Sequence, residues 1–337
     1  MKKVFVCLLL TALLFTAGMP QVRREIREAV QNLLDKQSQQ TVGVQRDPLF
    51  EQPVLSVTDE MDVTLYYRYG QTDVLGMERA RLETGREEMA AHSIVARLIA
   101  GPDAVHGKLT GVFPRGTDVI SVTESDDTAF VTLSMEFLGR PDGAPEDWED
   151  LAVWQEEATL RRWLAAQSIV CSLTEGGRYQ RVQLYVAETQ EQAPQRIPLC
   201  YFDLNVTDAS VVLAASSRDE TAILTPQRTM QMILDGWQRR DWESVYALLC
   251  TQEGGQMPTL SAFEAQMRAA DATLLTAEVS FGSVDVSGQV ATLLLDGAVR
   301  SLEKGDYRLI RQSVPLVRVA DNWAMRLDTL LTLMRRE

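Results

Sequence analysis

The alternation of apolar and polar positions changes period several times along this chain, and each change marks an element. Val63, Leu65 and Tyr67 alternate with Thr64, Tyr66 and Arg68, which predicts a strand. A second strand is expected over residues 75–83. Between 87 and 100 the period lengthens: Ala91, Ile94, Val95 and Leu98 share one helix face. Gly101-Pro102 then stops the helix, because Gly suits a left-handed C-terminal position and Pro cannot continue the helix. In Phe113-Pro114-Arg115-Gly116-Thr117, Pro at the second turn position and Gly at the fourth predict a type I turn. Strands over 118–124 and 128–134 flank Ser125-Asp126-Asp127, and this reads as a hairpin. After a loop over 139–145, Asp147 is the expected N-cap of a long helix ending near Thr174, with Leu160, Leu164 and Cys171 as its buried stripe. Gly176-Gly177 closes it, and Val182, Leu184 and Val186 give a further strand. Two helices on one side of a mostly antiparallel sheet is an α+β arrangement.

A Gln/Pro-rich break at 190–198 and short strand-like pieces over 199–213 lead to a polar stretch at 216–221, the expected domain boundary. Thr225-Pro226 reads as an N-cap followed by Pro at the first helical position. Met230, Ile233, Leu234 and Trp237 form an amphipathic face, and Arg240-Asp241 interrupts it. Further helices are expected over 242–250 and 260–270. Four strands follow, over 274–285, 289–300, 307–319 and 323–331. Turns at Ser287-Gly288, Lys304-Gly305 and Asp321-Asn322 separate them. No internal repeat relates the two halves.

The first 18 residues have the layout of an export signal. Lys2-Lys3 precedes an apolar run over 4–15, and Thr16-Ala17-Gly18 supplies small residues for cleavage before Met19. The apolar run is shorter than the roughly 20 residues a membrane span needs. An uncleaved anchor is the one membrane contact expected. Cys7 lies inside the run and Met19 stands where a lipoprotein would carry Cys. Residues 19–60 hold an amphipathic helix, with Val22, Ile26, Val30 and Leu33, and a Gln-rich linker.

Composition narrows the function. The net charge is −14, with 33 basic against 47 acidic residues. That argues against nucleic acid, which is held largely by Lys and Arg. Of the four cysteines, Cys171, Cys200 and Cys250 lie beyond the signal. Three cannot all pair in an exported protein, and spacing leaves a Cys171–Cys200 bridge open. With only two histidines, His92 and His106, a zinc site lacks ligands and a Ser-His-Asp arrangement lacks its usual GxSxG setting. The pairs Glu146-Asp147, Glu149-Asp150 and Glu156-Glu157 are accounted for as charges near a helix N-terminus. Trp237, Trp242, Tyr246 and Trp323 are core aromatics or the lining of a pocket. No catalytic residue, metal or cofactor is expected.

The helix end LIAGP (98–102), the turn FPRGT (113–117), the strand pair VISVTESDDTAFVTLS followed by Met135-Glu136-Phe137, the helix end CSLTE (171–175) and the strand VQLYV (182–186) occur in this order. Together they resemble the GerM domain of bacterial sporulation and germination proteins, over about residues 62–203. The resemblance implies a small α/β sandwich domain, at 61–215, that binds or assembles without a catalytic site. Gly101, Pro102, Pro114 and Gly116 are its structural motif positions. Residues 221–337, helices followed by a curved antiparallel sheet, are similar in pattern to the NTF2-like cone. The expectation is a non-enzymatic, extracytoplasmic protein of a Gram-positive-type spore former. It would dock on envelope or sporulation proteins, or on itself, through the uncharged strand Val63, Thr64, Leu65, Tyr66 and Tyr67. The alternative is a module whose C-terminal cone holds a small ligand or cell-wall fragment.

Overall fold

The computed structural model describes residues 58–85, 89–252, 255–301 and 305–335. The expected export signal, and nearly all of the helix and linker expected over 19–60, lie outside the described residues. The fold is α+β, with three separate sheets.

Strands β1 (Thr58–Tyr69) and β2 (Leu75–Gly85) form a long antiparallel hairpin with Arg68 opposite Leu75. Helix α1 (Ala90–Ala100) follows, and the short β3 (Leu109–Thr110) pairs with the other side of β1 at Arg68 and Tyr69. Strands β4 (Val119–Ser125) and β5 (Thr128–Ser134) make the expected hairpin, closed by Asp126-Asp127. A 3₁₀ turn over Met135–Leu138 leads toward the long helix α2 (Ala152–Thr174). Strand β6 (Arg181–Ala187) returns parallel to β5, and β7 (Gln195–Arg196) completes the order β4-β5-β6-β7. A parallel return needs a crossover, and α2 supplies it.

The single sheet expected for this half is therefore two. The reason lies in α2, which packs on both β1 and β6. Every residue from Leu164 to Leu173 is buried. The predicted stripe understated this: Leu164 and Cys171 are fully buried, while Leu160 is partly exposed. The helix start also differs. Asp147 heads a 3₁₀ turn, Trp148–Asp150, and α2 begins only after Leu151, with no side-chain cap.

In the other half, Thr225 caps α3 (Pro226–Arg239) by accepting from the Arg228 amide, and Arg240 ends it at φ 59°. Asp241 caps α4 (Trp242–Ala247) through the Ser244 amide. The expected helix 242–250 stops there, because Leu249–Cys250 forms a short strand, β8, parallel to the last strand. After α5 (Leu260–Ala270) come β9 (Ala272–Val284), β10 (Val290–Ser301), β11 (Tyr307–Val319) and β12 (Asn322–Arg326). The sheet order is β8-β12-β11-β10-β9. The last hairpin turns on Ala320-Asp321, both at positive φ, one residue before the predicted pair. Two such residues are the signature of a type I′ hairpin. The fourth strand ends at Arg326 and continues as a helix, α6 (Leu327–Arg335), with Leu330, Leu333 and Met334 inward at helical spacing.

Residues 216–221 are bonded into the structure on either side. Ser216 bridges to Val182, and the Leu224 amide donates to the Leu75 carbonyl at 2.9 Å. The Asn322 side chain accepts from the Met77 amide at 2.7 Å and donates to the Met77 carbonyl at 2.9 Å. It thereby acts as one more strand residue on the outer edge of β2. Gly76 allows this approach: a Cβ there would lie 2.6 Å from Asn322 Oδ1 and 2.6 Å from a Leu109 methyl carbon.

Candidate functional site

The strand expected to dock partners is the central strand of its sheet. Leu65, Tyr66 and Tyr67 are buried, and Val63 and Thr64 are partly covered. Antiparallel pairing with β2 uses one edge of β1. The other edge faces α2. There the Tyr66 amide donates to Ser172 Oγ at 3.1 Å, and Ser168 Oγ donates to the Tyr66 carbonyl at 2.5 Å. Two buried serines one helical turn apart thus stand where a neighbouring strand would bond. The expectation of an open edge at Leu65–Tyr67 is corrected on this ground: these residues lack charge because they are inside.

The Tyr66 hydroxyl donates to Glu175 at 2.9 Å and accepts from Arg218 at 2.9 Å. Arg218 also stacks over the Tyr66 ring, 5.1 Å from its centroid, and pairs with Glu175 and Glu220. Burial pushes the Tyr66 hydroxyl well above its ordinary pKa, and Glu175 adds to this while Arg218 opposes it. The group stays a neutral phenol, and the cluster ties the 216–221 segment to β1 and α2.

The Tyr67 hydroxyl lies 3.1 Å from the Arg97 carbonyl and 3.2 Å from that of Gly101. Gly101 sits at φ 94°, which explains the glycine before Pro102. The Pro114 carbonyl accepts from the Thr117 amide at 3.2 Å, so the turn spans 114–117 and not 113–116. Gly116 is then its third residue, at φ 84°, as a type II turn requires. These four residues shape backbone and touch no reactive group.

Three carboxylates, Glu78, Glu124 and Glu157, are held in ion pairs. Glu157 is not a plain helix-start charge: it lies between Arg68, whose side chain is 5% exposed, and Arg161 at 2.6 Å. Burial works to raise the Glu157 pKa, but hydrogen bonds and charge from Arg68 and Arg161 outweigh it and hold it low. Glu78, 1% exposed, accepts from Arg97 and from the Asp103 amide, both at 2.9 Å. Glu124 accepts from Tyr179 and Arg178, which hold its carboxyl below the usual range. The exposed pairs 146–147 and 149–150 have solvent before them.

His92 is partly buried on α1, as its spacing predicts. Among the described residues no cluster of His, Cys, Asp or Glu could hold a metal ion. Cys171, Cys200 and Cys250 are all free, so the bridge left open between Cys171 and Cys200 is not formed. Trp237, Trp242 and Trp323 are core residues, 0 to 8% exposed, and the Tyr246 hydroxyl donates to the Pro258 carbonyl.

These features give the first half its place among known proteins. Residues 64–192 match the Germane family model, described as sporulation and spore germination. That stretch is GerM-like. Three solved structures are similar over part of the chain. The tandem GerMN domains of the sporulation protein GerM from Bacillus subtilis are 16% identical, with TM-score 0.27, over 40% of this chain and 45% of that one. The first GerMN domain of the same protein is 18% identical, with TM-score 0.24, over 40% of this chain and 92% of that one. A protein described as a candidate lipoprotein from Clostridium perfringens is 15% identical, with TM-score 0.24, over 39% of this chain and 76% of that one. This chain thus spans under half the length of the tandem GerMN protein. No curated protein matches.

Among the described residues an open edge does exist, and it lies outside the Germane match. β9 ends the five-stranded sheet. Its first residues are held by α3: Trp237 Nε1 donates to the Ala272 carbonyl at 2.8 Å, and Gln238 to that of Leu275 at 3.3 Å. From Thr276 onward β9 carries one charge, Glu278, and exposes Phe281 and Val284. Val286 in the following turn is wholly exposed. The sequence signal was available, since nine residues from 276 to 284 hold a single charge. The expectation falls on β1 because residues 63–67 carry no charge at all.

Proposed function

We propose that the chain is a non-enzymatic, extracytoplasmic protein of sporulation or germination that works by docking on other envelope proteins. The observation that carries this reading is the Germane match over residues 64–192. The ion pairs at Glu78, Glu124 and Glu157 support it, because they tie β2, β4 and α2 to their neighbours and consume the groups that acid–base chemistry would use. Export rests on the signal-like residues 1–18. Among the described residues, no helix is long and apolar enough to cross a membrane. We read the C-terminal half as an NTF2-like module, on its helices followed by a five-stranded sheet. The docking surface is the open edge of β9, where an extended partner segment can add a strand.

The experiment is a pair of variants in a spore-forming host. Phe281→Lys/Val284→Lys places charge on the open edge, at two positions exposed enough to tolerate it. Crosslinked partners and heat-resistant spore counts should both fall while the circular dichroism spectrum is unchanged. Full deletion that sporulates and germinates normally would remove the reading. N-terminal sequencing of exported protein should begin at or near Met19; an intact Met1 in the membrane fraction would show a retained anchor.

A further inference from the structure

A cleft of about 180 Å³ opens at the seam between the two halves. The segment 105–109, just before and into β3, forms one wall, and β8, the β11–β12 turn and β12 form the other. Most of its surface is apolar: Tyr69, Val105, Leu109, Val319, Ala320 and Ala324. Val105 and Val319 are 77% and 47% exposed, so among the described residues two large apolar side chains flank the opening uncovered. A protein cavity of about 150 Å³ with apolar walls holds benzene. The seam cleft therefore has room for one small ring.

Besides Asn322, whose side chain is already bonded to Met77, three polar groups interrupt these walls. Lys108 Nζ donates to the Ala247 carbonyl at 2.7 Å and lies 5.9 Å from the Tyr69 ring centroid. Among the described residues no carboxylate forms an ion pair with it, although acidic residues outnumber basic ones by 47 to 33. Burial pulls its pKa down and the neighbouring Cys250 works the other way, while the residue as a whole stays exposed to solvent. His106 Nδ1 is buried with no hydrogen-bond partner. A buried polar nitrogen without a partner costs free energy and points to a group not present. The third group is the Cys250 thiol, which burial keeps protonated.

We propose that the seam cleft binds a small carboxylate with an apolar, ring-sized body, its charged end on Lys108 Nζ and its body between Val105, Val319 and Ala324. A carboxylate supplies the counter-ion that Lys108 lacks, beside the Ala247 and Leu249 carbonyls to which it already donates. Phosphate would need more donors and would leave the apolar walls bare. A neutral ring would leave Lys108 without its counter-ion. The site is independent of the β9 edge, and the docking role can fail without affecting it.

The test uses the full chain from residue 19 and three isosteric probes: benzoate, benzyl alcohol and benzylamine. Calorimetry should show saturable binding of benzoate, weaker binding of the alcohol by about tenfold or more, and none of the amine. Bound benzoate should slow alkylation of Cys250 by iodoacetamide, followed by peptide mass spectrometry, with Cys200 as the unprotected control. Lys108→Met should weaken benzoate about tenfold or more. Should that variant melt early, Val105→Trp serves instead: the position is exposed, and the indole fills the mouth and abolishes binding. Absence of saturable benzoate binding, equal affinity for the alcohol, or full binding in a folded Lys108→Met or Val105→Trp protein would overturn the proposal.

Discussion

β1 and β9 are both long strands with uncharged stretches, yet they have opposite surroundings. β1 is bonded on one edge by β2 and on the other by β3 and by two serines of α2. β9 is bonded on one edge by β10, and beyond Leu275 its other edge has solvent. Lack of charge on a strand therefore has two opposite meanings. In β1 it reflects burial, because an ionised side chain there would lose its hydration without compensation. In β9 it leaves an edge that charge does not blunt against strand addition. The bulges beside Gly282 and Leu274 twist this edge and supply part of the missing protection.

The comparison is broken or upheld most directly by placing the same charge in both strands. Tyr66→Lys should destabilise the protein by about 3–5 kcal/mol, since it removes a buried ring and buries an amine among Ser172, Glu175 and Arg218. Phe281→Lys should stay within about 1 kcal/mol, because the ring is 48% exposed. Urea titrations of both variants check this. Equal costs would mean that the burial assigned to β1 or the exposure assigned to β9 is wrong.

Why one strand was misread is instructive. The period-2 pattern of residues 63–68 correctly predicted a strand, and residue 75 correctly began the next one. Period says which residues share a face. It says nothing about what meets the strand edge, and here the partner is Ser168 and Ser172, about a hundred positions away. The same gap explains the division of the first half into two sheets. Capping chemistry was legible in part: Thr225 accepts from the Arg228 amide as an N-cap does, whereas Asp147 makes no side-chain cap and heads a 3₁₀ turn. The last strand, expected over 323–331, ends at Arg326, because Leu327, Leu330, Leu331 and Met334 recur at spacings of three and four, which is helical. Of the candidate site, the motif glycines were legible from the sequence alone. The seam cleft was not, since its lining comes from five separate stretches.

A buried ion pair also has to break in the closed region and not in the open one. Glu78→Ala leaves Arg97 and the Asp103 amide without their acceptor, and should cost about 2–4 kcal/mol, less than for a fully buried pair because the Arg97 side chain is 25% exposed. Glu278→Ala on β9 should cost almost nothing. Thermal melts of the two variants side by side give the answer, and a silent Glu78→Ala would sink the assignment.

The serines sharpen the comparison at the edge itself. Ser168→Ala/Ser172→Ala strips the hydroxyls that close β1 and leaves the Tyr66 amide and carbonyl unbonded inside the protein. The cost should be about 1–3 kcal/mol. Amide exchange at Tyr66 should quicken while amides paired to β2, such as that of Leu65, keep their protection.

Acid should loosen the same region. The Glu157 pKa is lowered in the folded protein, so its contribution is complete above the unfolded value of about 4.3 and is lost as pH falls through the folded value. In Glu157→Gln the loss of stability below about pH 4.3 should be shallower than in the wild type. Melting temperatures at a series of pH values decide this, and parallel curves would show that Arg68 and Arg161 do not depend on Glu157.

The smallest effect on stability belongs to the open edge, and it is the one that bears on function. Ser280→Lys lies on β9 within the exposed stretch, opposite Leu294 of β10, where a longer polar side chain meets solvent. Its cost should be within about 0.5 kcal/mol. Lysine on an edge strand opposes addition of a further strand, because the incoming backbone must desolvate the ammonium. If β9 is the docking edge, Ser280→Lys should reduce crosslinking to envelope partners, and Ser280→Thr, which keeps β propensity and adds no charge, should not. Thr64→Lys in the closed strand is the matched control: Thr64 is partly covered, so the change should act on stability more than on partners. Loss of partners with Thr64→Lys and not with Ser280→Lys, both proteins being folded, would return the docking surface to β1.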